Sequence, residues 1–184
     1  MAVYMLFEGM KCDATYTGLE SLLQAAALLG GIQALITGGA NSGAMNWIGV
    51  NSVSFDAKRS FSTGIGSARN RESSQPKLNE LTVTKLLDTS SPLLFQQAVA
   101  GNTGKGALIT FVATGHQQPY LTLVMQNVLV GQYALKADGA RPIETLRLNF
   151  TAINYCYSSI ELDGGIGMPS IVGYKLDRGT VTAF

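Results

Sequence analysis

Segments in which apolar and polar residues alternate occupy most of the chain and predict a mainly β protein. At the N-terminus, Val3, Met5 and Phe7 fall on one side of an extended segment, as alternate residues of a strand do. Further segments rich in β-branched and aromatic residues follow as "NWIGVNSVSFDAKRSF", "NELTVTKLL", "ALITFVATG", "YLTLVMQNVLVGQYAL" and "IVGYKLDRGTVTAF". Clusters of Gly, Pro, Asn and Asp separate these segments, which is typical of turns between strands.

The alternation changes phase inside "TLRLNFTAINYCYSS". Leu146, Leu148 and Phe150 share one parity, whereas Ile153 and Tyr155 share the other. Side chains of a strand point to its two faces in turn, so a change of parity requires an inserted residue or a break. The sequence therefore predicts a β-bulge or a change of sheet at this point.

The stretch "SSPLLFQQAVAGNTGKG" predicts a short helix at about Pro92–Ala100. Ser91 is the expected N-cap and Pro92 the expected first helical residue. From Leu94 onward, apolar residues recur at a spacing that forms one helix face. Gly101 is expected to end the helix as a left-handed cap.

The same stretch contains "GNTGKG", which resembles part of a phosphate-binding loop. If Gly104 and Lys105 are aligned with the Gly-Lys pair of that motif, Val99 replaces its first glycine and Gly106 its hydroxyl residue. A phosphate loop also leads from a strand into a helix, whereas here the predicted order is helix, turn, strand. Nucleotide binding is therefore not expected, and no cofactor is predicted.

The region of about Asp13–Asn46 interrupts the strand pattern and predicts an apolar helical and loop insertion. No charged residue occurs from Ser21 to Phe55. The apolar part, "SLLQAAALLGGIQALITGG", falls slightly short of the ~20 residues that span a bilayer, and Gln and Gly residues interrupt it. These features favour a buried or interface helix over membrane insertion. The side chains expected to pack are Leu22, Leu23, Leu28 and Leu29.

The low charge content favours self-association and gives no sign of nucleic-acid binding. The 184 residues include 13 Lys and Arg and 12 Asp and Glu, for a net charge of +1. This balance lacks the basic footprint of proteins that bind nucleic acid or anionic lipid. Charged residues make up 14% of the chain, against ~25% on average, and assembly would hide the neutral surface that results. The N-terminus has no basic region before an apolar core, so no secretory signal is predicted.

Residues suited to catalysis are few and scattered, so neither an active site nor a metal site is predicted. His116 is the single histidine and falls in a turn, without the additional ligands that a metal site needs. The carboxylates, including those of Asp88 and Glu144, fall at turns or strand ends and are interpreted as cap and turn residues. Cys12 and Cys156 are interpreted as free or buried thiols. An enzyme or ligand-binding barrel stays as an alternative.

The polar segment Ser62–Lys77, "STGIGSARNRESSQPK", predicts a long exposed loop. Loops of this length in a compact domain usually have a function or are disordered. Arg69 and Arg71 stand close to Glu72 in a nearly neutral chain, which favours a solvated loop or a protein interface over a phosphate contact.

Several of these segments, taken in order, resemble the Hcp family, the tube-forming proteins of type VI secretion. In "ELTVTKLLDTSSPLLFQQAVAGNTGKGALITF", a strand leads through Asp88, Ser91 and Pro92 to a short helix and then to the turn at Gly104-Lys105. "MAVYMLFEGMKCD" resembles the opening strand of the family, "WIGVNSVSFDAKRSFSTG" the next strand, and "ETLRLNFTAINYCY" part of its late hairpin. The long insertion and the absence of an "SGKH" turn depart from the family pattern.

The resemblance implies one domain, residues 1–184 with the insertion at about 13–46, folded as a compact β-barrel of two sheets with one short helix. It implies a structural protein without catalysis. Homohexameric rings would stack into a tube, which a contracting sheath drives into a target cell behind a spike protein, with effectors held in the lumen of some members. Assembly in the bacterial cytoplasm and export without a signal peptide follow from that role. A tail-tube protein of a contractile phage or phage-like particle is the alternative.

The resemblance also assigns the polar loop to ring contacts. We expect it to reach a neighbouring subunit or the next ring. The residues expected at this interface are Gly64, Ile65, Ser67, Arg69, Arg71, Glu72 and Lys105.

Overall fold

The computed structural model describes residues 1–10, 14–15, 46–63, 71–115, 118–161 and 165–183. These ranges form the mainly β structure that the sequence predicts, with one short helix. The first nine strands are β1 (Ala2–Phe7), β2 (Ala14–Thr15), β3 (Asn46–Val50), β4 (Ser52–Ser54), β5 (Ala57–Lys58), β6 (Phe61–Thr63), β7 (Arg71–Ser73), β8 (Lys77–Leu78) and β9 (Leu81–Leu86). The rest are helix α1 (Ser91–Ala100), β10 (Lys105–Ala113), β11 (Gln118–Lys136), β12 (Ile143–Asn149), β13 (Ala152–Tyr157), β14 (Ser170–Lys175) and β15 (Thr180–Ala183).

Two antiparallel sheets share the long strand β11. The first sheet has the order β15-β14-β13-β11-β10-β1-β3-β2. In the second sheet, the C-terminal half of β11 pairs with β12, β12 with β9, and β9 with β4. The strand passes from one sheet to the other near Asn127, where φ is 51° and the register with β10 shifts. Such irregularities let a strand bend and twist.

The two predicted sheets are present, but they are not closed into the predicted barrel. The chain breaks at the exposed Asn51, so that β3 pairs with β1 whereas β4 pairs with β9. Strands β13, β14 and β15 continue the first sheet past β11, the strand at which the second sheet branches off. The first sheet therefore overhangs the second.

The core lies between the two sheets. Met5, Ile109 and Met125 contribute from the first sheet, and Val83 and Leu146 from the second, each with no exposed surface. Alternate residues of the paired strands supply these side chains, as the sequence pattern predicts. Helix α1 packs against β11 and adds the fully buried Leu94 to the core.

The predicted change of parity is a change of sheet. Strand β12 pairs with β9 in the second sheet, whereas β13 pairs with β11 and β14 in the first. The exposed Thr151 joins them after the buried Phe150. Ile153 reaches the same core from the other sheet, but Tyr155 is half exposed because β13 lies in the overhanging part.

Helix α1 confirms the predicted segment but not the predicted caps. Ser90, not Ser91, occupies the N-cap position, and Ser91 begins the helix. Gly101 is extended, with φ −73° and ψ 112°, so the predicted left-handed cap is wrong. Its N–H donates to the carbonyl oxygen of Gln97 at 3.0 Å, and a Cβ at this position would collide with that oxygen. A glycine is needed at this position because a side chain would not fit, and not because the backbone is left-handed.

The predicted loop Ser62–Lys77 is in part a two-stranded ribbon, so the interpretation as an irregular loop is wrong at its ends. β5 pairs with β8, and β6 pairs with β7. At its base, Asn79 donates to the Asp56 carboxylate at 2.8 Å, and farther out Ser74 N–H donates to Ser60 O at 3.0 Å. We call residues 57–63 and 71–78 the arm.

The predicted insertion falls almost wholly outside the described residues. Of the region 13–46, the structure describes β2 and Asn46, the first residue of β3, with Thr15 paired to Asn46 and Ala14 to Trp47. Leu22, Leu23, Leu28 and Leu29 lie outside the described ranges. Within the part of the chain that the structure describes, no helix combines the length and apolarity needed to cross a membrane.

Candidate assembly site

A buried ionic network fixes the start of helix α1. Lys85 of β9 and Glu144 of β12 are paired across the second sheet, and both side chains are fully buried. Lys85 Nζ donates to Glu144 Oε2 at 2.7 Å and to Asp88 Oδ1 at 2.8 Å. It also lies 2.8 Å from the Leu86 carbonyl oxygen and 3.3 Å from Ser91 Oγ. An ammonium has three N–H groups, so these acceptors replace the water that burial removes.

The same network locks the turn into the helix. Asp88 Oδ1 accepts from the backbone N–H of Ser90 at 2.9 Å and from its hydroxyl at 2.5 Å. Ser91 Oγ in turn accepts from the N–H of Asp88 at 3.0 Å. Local side-chain bonds of this kind stabilise turns and helix starts. The stretch Asp88–Pro92 is thus a helix-positioning motif.

Tyr133 of β11 completes the network. Its hydroxyl donates to Glu144 Oε1 at 2.6 Å, and its ring packs edge-on against Phe95 of the helix, with 5.5 Å between ring centroids. Burial raises the pKa of Tyr133 to about 12, with further contributions from the hydrogen bond to Glu144 and from the charge of that carboxylate. The network consequently ties β9, β11, β12 and the helix together, and its charged groups are engaged with one another.

The side of α1 that faces solvent carries three exposed apolar side chains. Leu93, Phe95 and Val99 are exposed, Phe95 by 54% and Val99 by 70%. The helix contains no charged residue. We call these three residues the helix surface.

A second exposed apolar surface covers the overhang of the first sheet. Tyr155 is paired with Val172, and Tyr174 with Val181, across three adjacent strands. Since paired residues and residues two apart share a face, these side chains lie on the core side of the sheet, beyond the second sheet. Tyr155 and Val172 are each nearly half exposed, and Val181 is 67% exposed. Together with Tyr157, they form what we call the β13–β15 face.

The arm presents one large apolar side chain to solvent. Phe61 is 61% exposed, and the guanidinium of Arg59 lies 5.5 Å from the centre of its ring. Arg59 Nε also donates to the carbonyl oxygen of Ser74 at 3.1 Å, which joins the two sides of the arm.

The predicted interface residues are distributed between the arm and the sheet. Arg71 and Glu72 are in β7, where their backbones pair with β6. Lys105 is the half-buried first residue of β10 and is paired with Val128. The predicted interface residues that lie outside the described residues are Gly64, Ile65, Ser67 and Arg69.

Of the histidine and the two cysteines considered as reactive groups, the structure describes Cys156 alone. His116 and Cys12 lie outside the described residues. Cys156 is a buried free thiol, and burial raises its pKa. Among the described side chains, no group of three or more His, Cys, Asp and Glu residues could hold a metal ion.

Sequence reasoning missed Lys85 and Tyr133 and misread Glu144. The interpretation of Glu144 as a cap or turn residue is wrong, because it is an inward-facing residue of β12. A signal was present: Lys85 shares the parity of Leu81 and Val83, and Glu144 shares that of Leu146. Opposite charges on the buried faces of two predicted strands indicate an internal ion pair.

Comparison with known proteins assigns this fold to a family. The model of the family described as "Type VI secretion system effector, Hcp" matches residues 29–157. Among curated proteins, none matches the chain.

Solved structures share the fold at low sequence identity. A type six secretion system protein is 16% identical with a TM-score of 0.77, over 98% of this chain and 99% of that one. Hcp1 from Salmonella typhimurium is 16% identical with a TM-score of 0.65, over 99% and 100%. A type VI secretion system effector from Yersinia pestis is 14% identical with a TM-score of 0.60, over 94% and 98%. The matched segment includes the core strands β9 to β13 and the helix with its ionic network, so this chain belongs to the Hcp family of type VI secretion tube proteins.

Proposed function

We propose that this chain assembles into hexameric rings, and that the rings stack into the inner tube that a contracting sheath expels. The observation that carries the proposal is the β13–β15 face. It is an exposed apolar surface on three adjacent strands, in a protein with few charges. Monomeric proteins rarely leave large contiguous apolar patches in water, and a neighbouring subunit would cover this one.

The presence of two unlike surfaces favours a ring. The helix surface and the β13–β15 face differ in shape, because one is a helix side and the other a sheet face. Contact between unlike surfaces of identical subunits is heterologous, and such contacts close into a ring when the rotation between subunits allows it. The number six comes from the family to which the chain belongs.

We infer that the arm makes the contact between rings or between neighbouring subunits. Its sides of seven and eight residues span roughly 23–26 Å at the rise of a β-strand, and Ala57, Lys58 and Lys77 at its base are exposed. The predicted interface therefore stays assigned to residues of the arm, of its tip and of the adjacent sheet, namely Gly64, Ile65, Ser67, Arg69, Arg71, Glu72 and Lys105.

The proposed role is structural rather than enzymatic. One domain, residues 1–184, would form the ring subunit. Its partners would be further copies of itself, the sheath and spike proteins, and effectors held in the ring lumen. The subunit would assemble in the bacterial cytoplasm and leave the cell when the sheath contracts.

The mass of the purified protein in solution tests the ring. Light scattering during size-exclusion chromatography should give six times the subunit mass, and negative-stain images should show rings with a central lumen. A folded monomer at concentrations of tens of micromolar, well above the dissociation constant of a stable interface, would overturn the proposal.

A further inference from the structure

The first sheet also buries apolar side chains on the face that turns away from the core. On the side away from the core, Leu6 is paired with Leu108, and Leu108 with Val124. In a neighbouring row, Cys156 is paired with Ile171. All five side chains are buried, yet none belongs to the core between the sheets. We call this surface the outer face.

Edge strand β3 contributes to the same surface. Trp47 is almost completely buried and is an alternate residue to the core residue Ile48. Its ring lies edge-on to Tyr4, with 6.4 Å between ring centroids. The outer face therefore extends from β3 across the sheet to β14, which at the spacing of neighbouring strands is roughly 24 Å.

The contacts among the described helix and strands do not account for the burial of the outer face. They run along the strand ladders, between α1 and β11, and between β3 and β9. Helix α1 contributes to the core between the sheets through Leu94 rather than to the outer face. An apolar sheet face is stable only when another layer covers it.

The segment of residues 16–45 begins and ends beside the outer face. Thr15 and Asn46, which flank it, are paired with each other at the β2–β3 edge of the sheet. Trp47, the next residue, already lies on the outer face. The segment contains thirty residues, which when extended reach roughly 100 Å, so it is long enough to cross the face and return.

The composition of the segment suits an apolar surface. Glu20 is its single charged residue, and it contains the apolar stretch "LLQAAALL". The twelve residues of "GLESLLQAAALL" would cover about 18 Å as a helix, most of the width of the outer face. We propose that residues 16–45 lie over the outer face of their own subunit and form a third layer on the first sheet. This layer occupies the outer face and leaves the β13–β15 face and the helix surface free for assembly.

Cys156 provides a reporter for this cover, because its thiol lies on the outer face. In a Cys12→Ser background it is the single thiol, and its alkylation rate in the folded protein measures access to the face. Leu22→Asp and Leu28→Asp should accelerate alkylation roughly ten-fold or more by opening the cover locally. Leu93→Asp on the helix surface is the matched control and should leave Cys156 protected even if it separates the subunits. Unchanged protection in both segment variants, or exposure in the Leu93 variant, would overturn the proposal.

Crosslinking tests the same contact in protein that folds normally. A photoreactive benzoylphenylalanine at position 22 or 28 should crosslink to residues of β10, β11 or β13 in the same chain. Mixed rings of isotopically light and heavy subunits distinguish contacts within a chain from contacts between chains. Crosslinks confined to a second copy, or to the helix surface, would refute the assignment to the same subunit without affecting the proposal of a ring.

Discussion

Lys85 Nζ lies 2.7 Å from Glu144 Oε2, and neither side chain reaches solvent. Removing two charges from water is costly, and good geometry with additional hydrogen bonds is needed to offset that cost. Asp88 and Ser91 supply further acceptors for Lys85, and Tyr133 donates to Glu144. Because these partners come from three strands and the helix, the pair fixes the position of the helix surface relative to the sheets.

Glu144→Leu should destabilise the fold strongly. It leaves the Lys85 ammonium in the core without its closest carboxylate, and loss of one partner from a buried pair costs about 3–5 kcal/mol. Urea unfolding followed by fluorescence measures this cost. Lys136→Met breaks an exposed pair with Asp138 and should change stability by less than about 1 kcal/mol.

The double variant Lys85→Met with Glu144→Leu separates the cost of an unpaired charge from that of lost packing. It removes both buried charges and leaves Asp88, which is partly exposed. We expect it to be more stable than Glu144→Leu alone, since apolar replacement of a whole pair is often nearly neutral. If the double variant is less stable than the single one, the unpaired lysine is not the source of the loss.

Tyr133→Phe should reduce the sensitivity of the fold to alkaline pH. Burial and Glu144 raise the pKa of Tyr133 to about 12 in the folded state, above its value of about 10 in an unfolded chain. Its contribution to stability is present below pH 10 and is lost as the pH rises toward 12. Urea midpoints at pH 8, 10 and 11 should fall less in Tyr133→Phe than in the wild type. The exposed Tyr157→Phe serves as control, and an equal fall in all three proteins would contradict the expectation.

The ionic network shows what a single sequence predicts about this site and what it does not. Alternation predicts β9 and β12 and the inward parity of Leu81 and Leu146, because buried strand faces are apolar. The same parity places Lys85 and Glu144 inside, but their pairing depends on β9 lying beside β12 in register. Which strands lie side by side depends on residues far apart in the sequence. Without the partner strand in view, Glu144 is therefore interpreted as a surface residue.

Gly104→Ala should destabilise the turn that leads from the helix into β10. A Cβ there would lie 2.7 Å from Asn127 Cα, a backbone atom that cannot easily move. Overpacking of this kind costs about 1–3 kcal/mol. Gly139→Ala is the matched control, because its Cβ would meet no atom within 4 Å, and thermal unfolding compares the two. Equal stability of both variants would show that the contact is relieved without cost.

The glycine positions explain a second limit of sequence reasoning. Gly101 and Gly104 both mark the end of the helix, and the sequence predicts a turn there correctly. The reason for each glycine is a close approach, to Gln97 in one case and to Asn127 in the other. The approach of Gly104 to Asn127 joins distant parts of the chain and leaves no local pattern. The approach of Gly101 to Gln97 is local, but a glycine just after a helix also fits a left-handed cap, so the sequence predicts that cap and the prediction is wrong.

Tyr155→Lys and Val172→Lys should prevent ring formation and leave the subunit folded. Both side chains are nearly half exposed, so a lysine can reach water in the monomer, but a neighbouring subunit would bury its charge. Circular dichroism checks the fold, and light scattering measures the mass. Met168→Lys is the control, because Met168 is exposed but belongs to neither apolar surface. Rings of full size in both variants would show that the β13–β15 face is not part of the interface between subunits.

Shortening the arm should separate stacking from ring formation. Replacing Phe61–Ser73 with an Asn-Gly turn keeps the bond from Ser74 to Ser60 and the pairing of β5 with β8, and Asn-Gly suits a two-residue hairpin. We expect rings of normal mass that no longer stack into tubes, as judged by negative stain and sedimentation. Phe61→Ser, which removes the exposed ring but keeps the ribbon, should weaken stacking less. Tubes as long as those of the wild type in the shortened variant would show that the arm does not join the rings.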